Sequence, residues 1–135
     1  MADIAAPVSS VTRLLHRAAI KLGRHALDAR RNGFPAVARV EFYLAYRIER
    51  DLAESLSATA DPACAVLQRS AAIMAFHAGA KTEAVKLAQV SLESWMPEDI
   101  AATLREIIRR GGAAGAVAMT DSLLGTQPAG KAVVC

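Results

Sequence analysis

Three histidines, His16, His25 and His77, are the obvious general bases of this 135-residue chain, and no nucleophile or metal ligand stands at a useful spacing from any of them. His16 and His25 lie nine residues apart on one expected helix, about 13 Å along its axis. No H-E-x-x-H pair, nucleophile-elbow G-x-S-x-G, phosphate-binding loop or dinucleotide fingerprint occurs, and the Arg-x4-His pattern of small all-helical ribonuclease toxins is missing. Cys64 and Cys135 match no metal spacing and are expected to be two reduced thiols of a cytoplasmic protein. These residues predict a non-enzyme with no catalytic residue, no metal and no cofactor. His77, two residues before Gly79, reads as a helix-end residue favoured by the dipole.

Two cationic constellations carry more promise than the histidines. Arg13, Arg17, Lys21, Arg24 and Arg31 recur at steps of three, four or seven on the expected first helix. With Arg30 they oppose Asp28 alone, which concentrates +5 within residues 13–31 of a chain whose net charge is +3. Such a stripe suits nucleic-acid phosphates or an acidic partner, or else is a solvated helix face. A membrane role does not fit, because the opposite, Ala- and Leu-rich side is needed by the core. Arg39, Tyr43, Tyr46, Arg47 and Arg50 form the second set, on the next helix. In a groove they would grip a partner peptide, with arginine holding a carboxylate in bidentate fashion; otherwise the tyrosines are half-buried packing.

The elements that position these residues are helices. Aliphatic content is high while only six residues are aromatic, so the core must be built from Ala, Leu, Val and Ile. Ser9 and Ser10 can cap a first helix whose stripe runs Val11, Leu14, Ala18, Leu22, Ala26 and Ala29, stopped by Asn32 and Gly33. Pro35 opens a second with the stripe Val37, Val40, Leu44, Ile48, Leu52 and Leu56. Asp61-Pro62 starts a third running to about Ala78; Thr82 can cap a fourth with Val85, Ala88, Leu92 and Trp95 on one side. The fifth has Pro97, Glu98 and Asp99 in its first turn, Ile100, Leu104 and Ile107 inward, Arg105, Arg109 and Arg110 at its end, and Gly111 beyond. Residues 1–8 are expected to be a flexible N-terminus, 9–110 the helical domain and 111–135 a flexible Gly/Ala-rich tail. No run is long enough for a membrane span, and the acidic, weakly apolar start does not read as a secretory signal.

Small residues recur around two glycines. Ala26 and Ala29 precede Gly33, and Ala38, Phe42, Ala45 and Tyr46 follow it; at the same offsets from Gly79 stand Ala72 and Ala75, then Ala84, Ala88, Ser91 and Leu92. Matched small side chains let paired antiparallel helices approach closely across a short turn, the building unit of stacked helical repeats.

Over Leu22 to Tyr46 and Gln68 to Pro97 this pattern resembles the tetratricopeptide repeat, a helix-turn-helix unit that stacks into protein-binding scaffolds. The chain departs from the motif: Pro35 and Lys81 stand where an aromatic is expected, and Gln68 replaces a bulky residue. The block from Arg69 to Arg110 is similar to one found in uncharacterised bacterial TPR-like proteins, with "RSAA" at 69–72, Gly79, "EA" at 83–84, Pro97 and "EDIAATLREII" at 98–108. The expectation is an all-α fold of about five helices, two antiparallel TPR-like hairpins plus a C-terminal amphipathic capping helix. The resemblance implies a non-catalytic scaffold that binds another protein or peptide. Because two units fall short of the roughly three that an isolated stack usually needs, a homodimer is expected. The alternative is a small, basic, nucleic-acid-associated regulator, antitoxin-like or accessory, that uses the Arg13-to-Arg31 stripe.

Overall fold

Hydrogen-bond capping and turn glycines divide the chain much as its punctuation predicts. The structure, a computed structural model, describes residues 9–56 and 62–113. These form α1 (Ser10–Arg31), α2 (Pro35–Leu56), α3 (Ala63–His77), α4 (Lys81–Ser91) and α5 (Glu98–Ala113), with no strand among the described residues. The fold is all-α. At the start of α1 the Ser9 hydroxyl oxygen accepts the Thr12 backbone N–H at 3.1 Å, satisfying one of the orphan donors of the first turn.

The α1–α2 and α3–α4 turns are built alike. In the first, Phe34 N–H donates to the Ala29 carbonyl at 2.8 Å and Gly33 N–H to Arg30 at 3.2 Å. In the second, Ala80 N–H donates to Ala75 at 2.9 Å and Gly79 N–H to Phe76 at 3.1 Å. This pair of bonds is the Schellman closure, which needs a left-handed residue; Gly33 and Gly79 supply it with φ of 90° and 87°. Each helix packs on its successor, α2 fills the space beside α3, and α5 also rests on α3.

The matched small residues do face inward. Ala26, Ala38, Ala45, Ala72, Ala75, Ala84, Ala88 and Ser91 are buried, as are Phe42 and Tyr46, while Ala29 and Leu92 are half-buried. At Gly23 of α1 an added Cβ would lie 2.7 Å from Met74 Cε of α3, so backbone and side chain there are already in contact. Helices meet this closely only where side chains are small.

The apolar stripes expected on α1 and α2 hold at Ala26, Leu52 and Leu56, which are buried, and are corrected nearer the start of each helix. Val11 and Leu14 are 64% and 63% exposed, and α1 buries Ala19, Gly23 and Ala26 instead. Val37, Val40 and Leu44 are likewise about half exposed, and α2 turns Ala38, Phe42, Ala45, Tyr46 and Glu49 inward. Large aliphatic residues drew the expected stripes, whereas close helix approach selects small ones for the core. On α5 the expectation holds: Ile100, Leu104 and Ile107 are buried. That helix also runs past its expected end, because Gly111 packs under Val85 of α4. Ala80, not Thr82, precedes α4, and Trp95 is exposed. The expected N-terminal segment 1–8 and residues 114–135 of the expected tail lie outside the described residues.

Candidate functional site

The Tyr–Arg set of α2 divides between core and surface. Tyr46 is buried in the core, with the Arg50 guanidinium 5.4 Å from its ring centre, so its ring is unavailable to a partner. Tyr43 is half-buried against it, the two rings 5.4 Å apart, while Arg39 and Arg47 are exposed. Arg50 also bonds Asp51 at 3.3 Å. Glu83 of α4 faces this cluster: burial raises its pKa, Arg50 and Arg47 oppose the rise, and its Oε1 is buried with no hydrogen-bond partner among the described residues. Burial, then Glu83, raises the pKa of both tyrosines. Packing therefore uses most of this set, and Glu83 joins it from α4, a helix of the other hairpin.

The stripe on α1 is a surface throughout. Arg13, Arg17, Lys21, Arg24 and Arg31 are all exposed, and Arg31 lies 3.7 Å from Asp28. Arg30 leaves the stripe and points to α3, its guanidinium 3.2 Å from His77 Nδ1.

Two histidines meet carboxylates. His16 Nδ1 lies 2.8 Å and 3.0 Å from the two oxygens of Glu49, which is fully buried between α1 and α3. Burial raises the Glu49 pKa; hydrogen bonds from His16 and Ser70 work against that rise. His25 Nδ1 lies 2.8 Å from Glu41 on the outer surface, and that hydrogen bond raises the imidazole pKa. Spacing of 33 and 16 residues concealed both pairs, yet one signal was present. His25 and Glu41 stand at equal distances on either side of Gly33, so folding the sequence back at that glycine brings them together. His16 and Glu49 obey the same rule to within one residue.

An open cleft of about 450 Å³ lies between α3 and α5, lined by Ile73, Phe76, His77, Glu106, Ile107 and Arg110 among others. His77 stacks on Phe42 at 5.0 Å and meets Phe76 edge-on at 6.2 Å. Arg30 lies 5.2 Å from the Phe42 ring centre; Lys81 and Arg110 each lie 5.3 Å from that of Phe76. Burial lowers the His77 pKa, and Arg30 and Arg110 lower it further. With its Nδ1 receiving the guanidinium proton, the neutral ring carries its own proton on Nε2. The cleft is lined by neither histidine–carboxylate pair.

Cys64 is buried and disulfide-bonded, its Sγ 3.4 Å from the Ala53 carbonyl oxygen. This corrects the expectation of a reduced thiol at Cys64; Cys135 lies outside the described residues. No group of three or more metal-ligating side chains occurs among the described residues, and no helix there is long and apolar enough to cross a membrane. Comparison with protein-family models, with curated proteins and with solved structures finds no match.

Proposed function

We propose that the protein is a non-catalytic protein–protein interaction module of TPR-like type, which docks through the outer face of the α1–α2 hairpin. The observation that carries this reading is the exposure there of large apolar side chains: Val11, Leu14 and Leu15 on α1, Val37, Val40 and Leu44 on α2, and Phe34 in the turn, each 40–64% exposed. Val11, Leu14, Ala18 and His25 share one row of α1, and Val37, Glu41 and Leu44 share one row of α2. The His25–Glu41 bond joins the two rows, so they belong to a single surface.

The occupant is a second copy of the chain. In a stack of hairpins the terminal faces are normally polar. Here the far end is closed by α5, which presents Arg105, Glu106 and Arg109 to water, whereas the α1–α2 end presents leucine and valine. Half-exposed side chains of this size offer roughly 500–600 Å² of apolar surface, close to the about 800 Å² per partner of a standard interface. Two copies joined there would stack four hairpins, above the roughly three that independent stability usually requires.

Sedimentation velocity of the full chain tests this. A dimer at tens of micromolar that Leu44→Glu converts to monomer, with helicity unchanged, supports the proposal; a wild-type chain that stays monomeric to about 200 µM overturns it. A second reading, nucleic-acid association, draws on the exposure of Arg13, Arg17, Lys21, Arg24 and Arg31 along α1. It requires binding to generic DNA or RNA that collapses between low and physiological salt and is lost in an Arg17, Lys21, Arg24 triple alanine variant.

A further inference from the structure

The apolar rows on the outer face of the α1–α2 hairpin are joined by a titratable bridge. His25 Nδ1 of α1 lies 2.9 Å and 2.8 Å from the two carboxylate oxygens of Glu41 of α2. On α2, Glu41 stands between Val37, one turn before it, and Leu44, one turn after it, which are 46% and 50% exposed. A partner surface that covers Val37 and Leu44 together therefore covers the carboxylate between them and the imidazole bonded to it. Neither His25 nor Glu41 makes another hydrogen bond or ion pair among the described residues.

Other charges stand nearby without joining the bridge. On α1, Lys21 and Asp28 lie one turn to either side of His25 and Arg24 lies beside it, all exposed. Asp28, 3.7 Å from Arg31, exerts a minor pull on the imidazole proton. On α2 the residues one turn from Glu41 are Val37, Ala38, Leu44 and Ala45, none of them charged; Arg39, two positions away, belongs to another face.

In the single chain water reaches the bridge, the His25 side chain being 68% exposed and that of Glu41 18%. Seating a second copy on the face removes that water. With His25 protonated, what becomes buried is a neutral, hydrogen-bonded ion pair; with His25 neutral, it is a lone carboxylate in an apolar contact. Stranding one charge is far costlier than burying both together, although the intact pair itself adds little to affinity. Leucine and valine supply the attraction, and the bridge sets the pH at which it acts.

We propose that protonation of His25 controls the pairing of two copies: the dimer closes over ionised His25–Glu41 bridges and loosens as the imidazoles lose their protons. The proposal rests on the reading of this face as a self-association surface. In the single chain Glu41 already raises the His25 pKa above 6.5, through its hydrogen bond first and its charge second. Loss of water strengthens the attraction between the two charges, so the dimer holds the proton more tightly and is favoured as pH falls through the His25 range.

Sedimentation equilibrium of the full chain at constant ionic strength, from pH 8.5 to pH 6, tests this. The dimer Kd should fall at least about tenfold, since each unit of pKa difference is tenfold and a dimer carries two bridges. In a His25→Gln, Glu41→Gln variant, which keeps His16 and His77, Kd should change less than about threefold. The NMR titration midpoint of His25 in the wild type should also be higher above Kd than below it. A wild-type dimer whose Kd is constant or rises on acidification overturns the inference and leaves the self-association reading standing, as does an equal pH dependence in the double variant. A chain that stays monomeric at every pH to about 200 µM overturns both. Circular dichroism separates lost control from lost folding in the double variant. Should that variant lose helicity, the wild-type titration decides alone, and a His25 midpoint independent of concentration overturns the inference.

Discussion

Replacing His16 by alanine tests how the core tolerates its one fully buried carboxylate on α2. Glu49 is 0% exposed, and His16 meets both its oxygens, at 2.8 Å and 3.0 Å. Removing one partner of a buried pair usually costs about 3–5 kcal/mol, because the remaining charge is stranded. His16 is itself 33% exposed, so water can enter the vacated place, and Ser70 still bonds the carboxylate. Those two facts bring the expected loss at pH 7 to about 2 kcal/mol, or a fall of roughly 1 M in the urea midpoint. Its sign with pH is also fixed. Burial already raises the Glu49 pKa above 4.5, and without His16 it must rise further. A carboxyl with a raised folded pKa is penalised only above that pKa, so the deficit of the variant should shrink as pH falls from 7 towards 4.5. His16→Ala, Glu49→Met together should recover to within about 1 kcal/mol of wild type, since an apolar side chain carries no stranded charge. Urea denaturation followed by circular dichroism at pH 7 and pH 5 makes the comparison. A loss below about 0.5 kcal/mol, or one of equal size at both pH values, would refute the buried-pair account.

Three further outcomes follow from single positions. Gly33→Ala should cost about 1 kcal/mol in thermal or urea melts purely through its φ of +90°, because nothing lies within 4 Å of the added Cβ; Gly111→Ala should cost about 1–3 kcal/mol for the opposite reason, a Cβ placed 2.4 Å from Val85 Cγ2, and a simultaneous Val85→Ala should relieve part of it. His77 has a lowered folded pKa, so its contribution is present above 6.5 and is lost as pH falls through the folded value; wild type should therefore lose stability relative to His77→Gln between pH 7.5 and 5.5, measured as paired urea midpoints. Phe42→Ala, at 2% exposure, should cost about 3–5 kcal/mol, whereas Leu44→Ser, at 50%, should stay within about 1 kcal/mol; equal costs at the two positions would show that the inward face of α2 has been assigned wrongly.

The contrast between Phe42 and Leu44 also explains what the sequence could and could not disclose. Helix number, turn glycines and the α5 stripe were legible because each rests on local chemistry: caps, left-handed glycine, and acids and bases matched to the ends of a dipole. The rotation of α1 and α2 was not. A stripe of Val and Leu at helical spacing is a core signal only where helices stand far enough apart to need large side chains. Around Gly23, Ala26, Ala38 and Ala45 the helices are too close for that, so the larger residues Leu14, Val40 and Leu44 are left outside. The matched alanines around Gly33 and Gly79 carry this information: faces that hold small residues in contact leave the larger ones on the opposite side.

Function-bearing contacts show the same division. His25 with Glu41, and His16 with Glu49, become visible once the chain is folded back at Gly33, because an antiparallel hairpin pairs residues equidistant from its turn. No such operation finds the cations that lie against the rings of α3. Arg30 of α1 reaches His77, and Lys81 of α4 and Arg110 of α5 each lie against Phe76. In the linear sequence Arg30 belongs to the basic run of α1, Lys81 to a turn and Arg110 to the favourable end of a dipole, and each has a sufficient local reason to be there. Arg110 comes to Phe76 because α5 returns to lie on α3, a contact that no local signal announces.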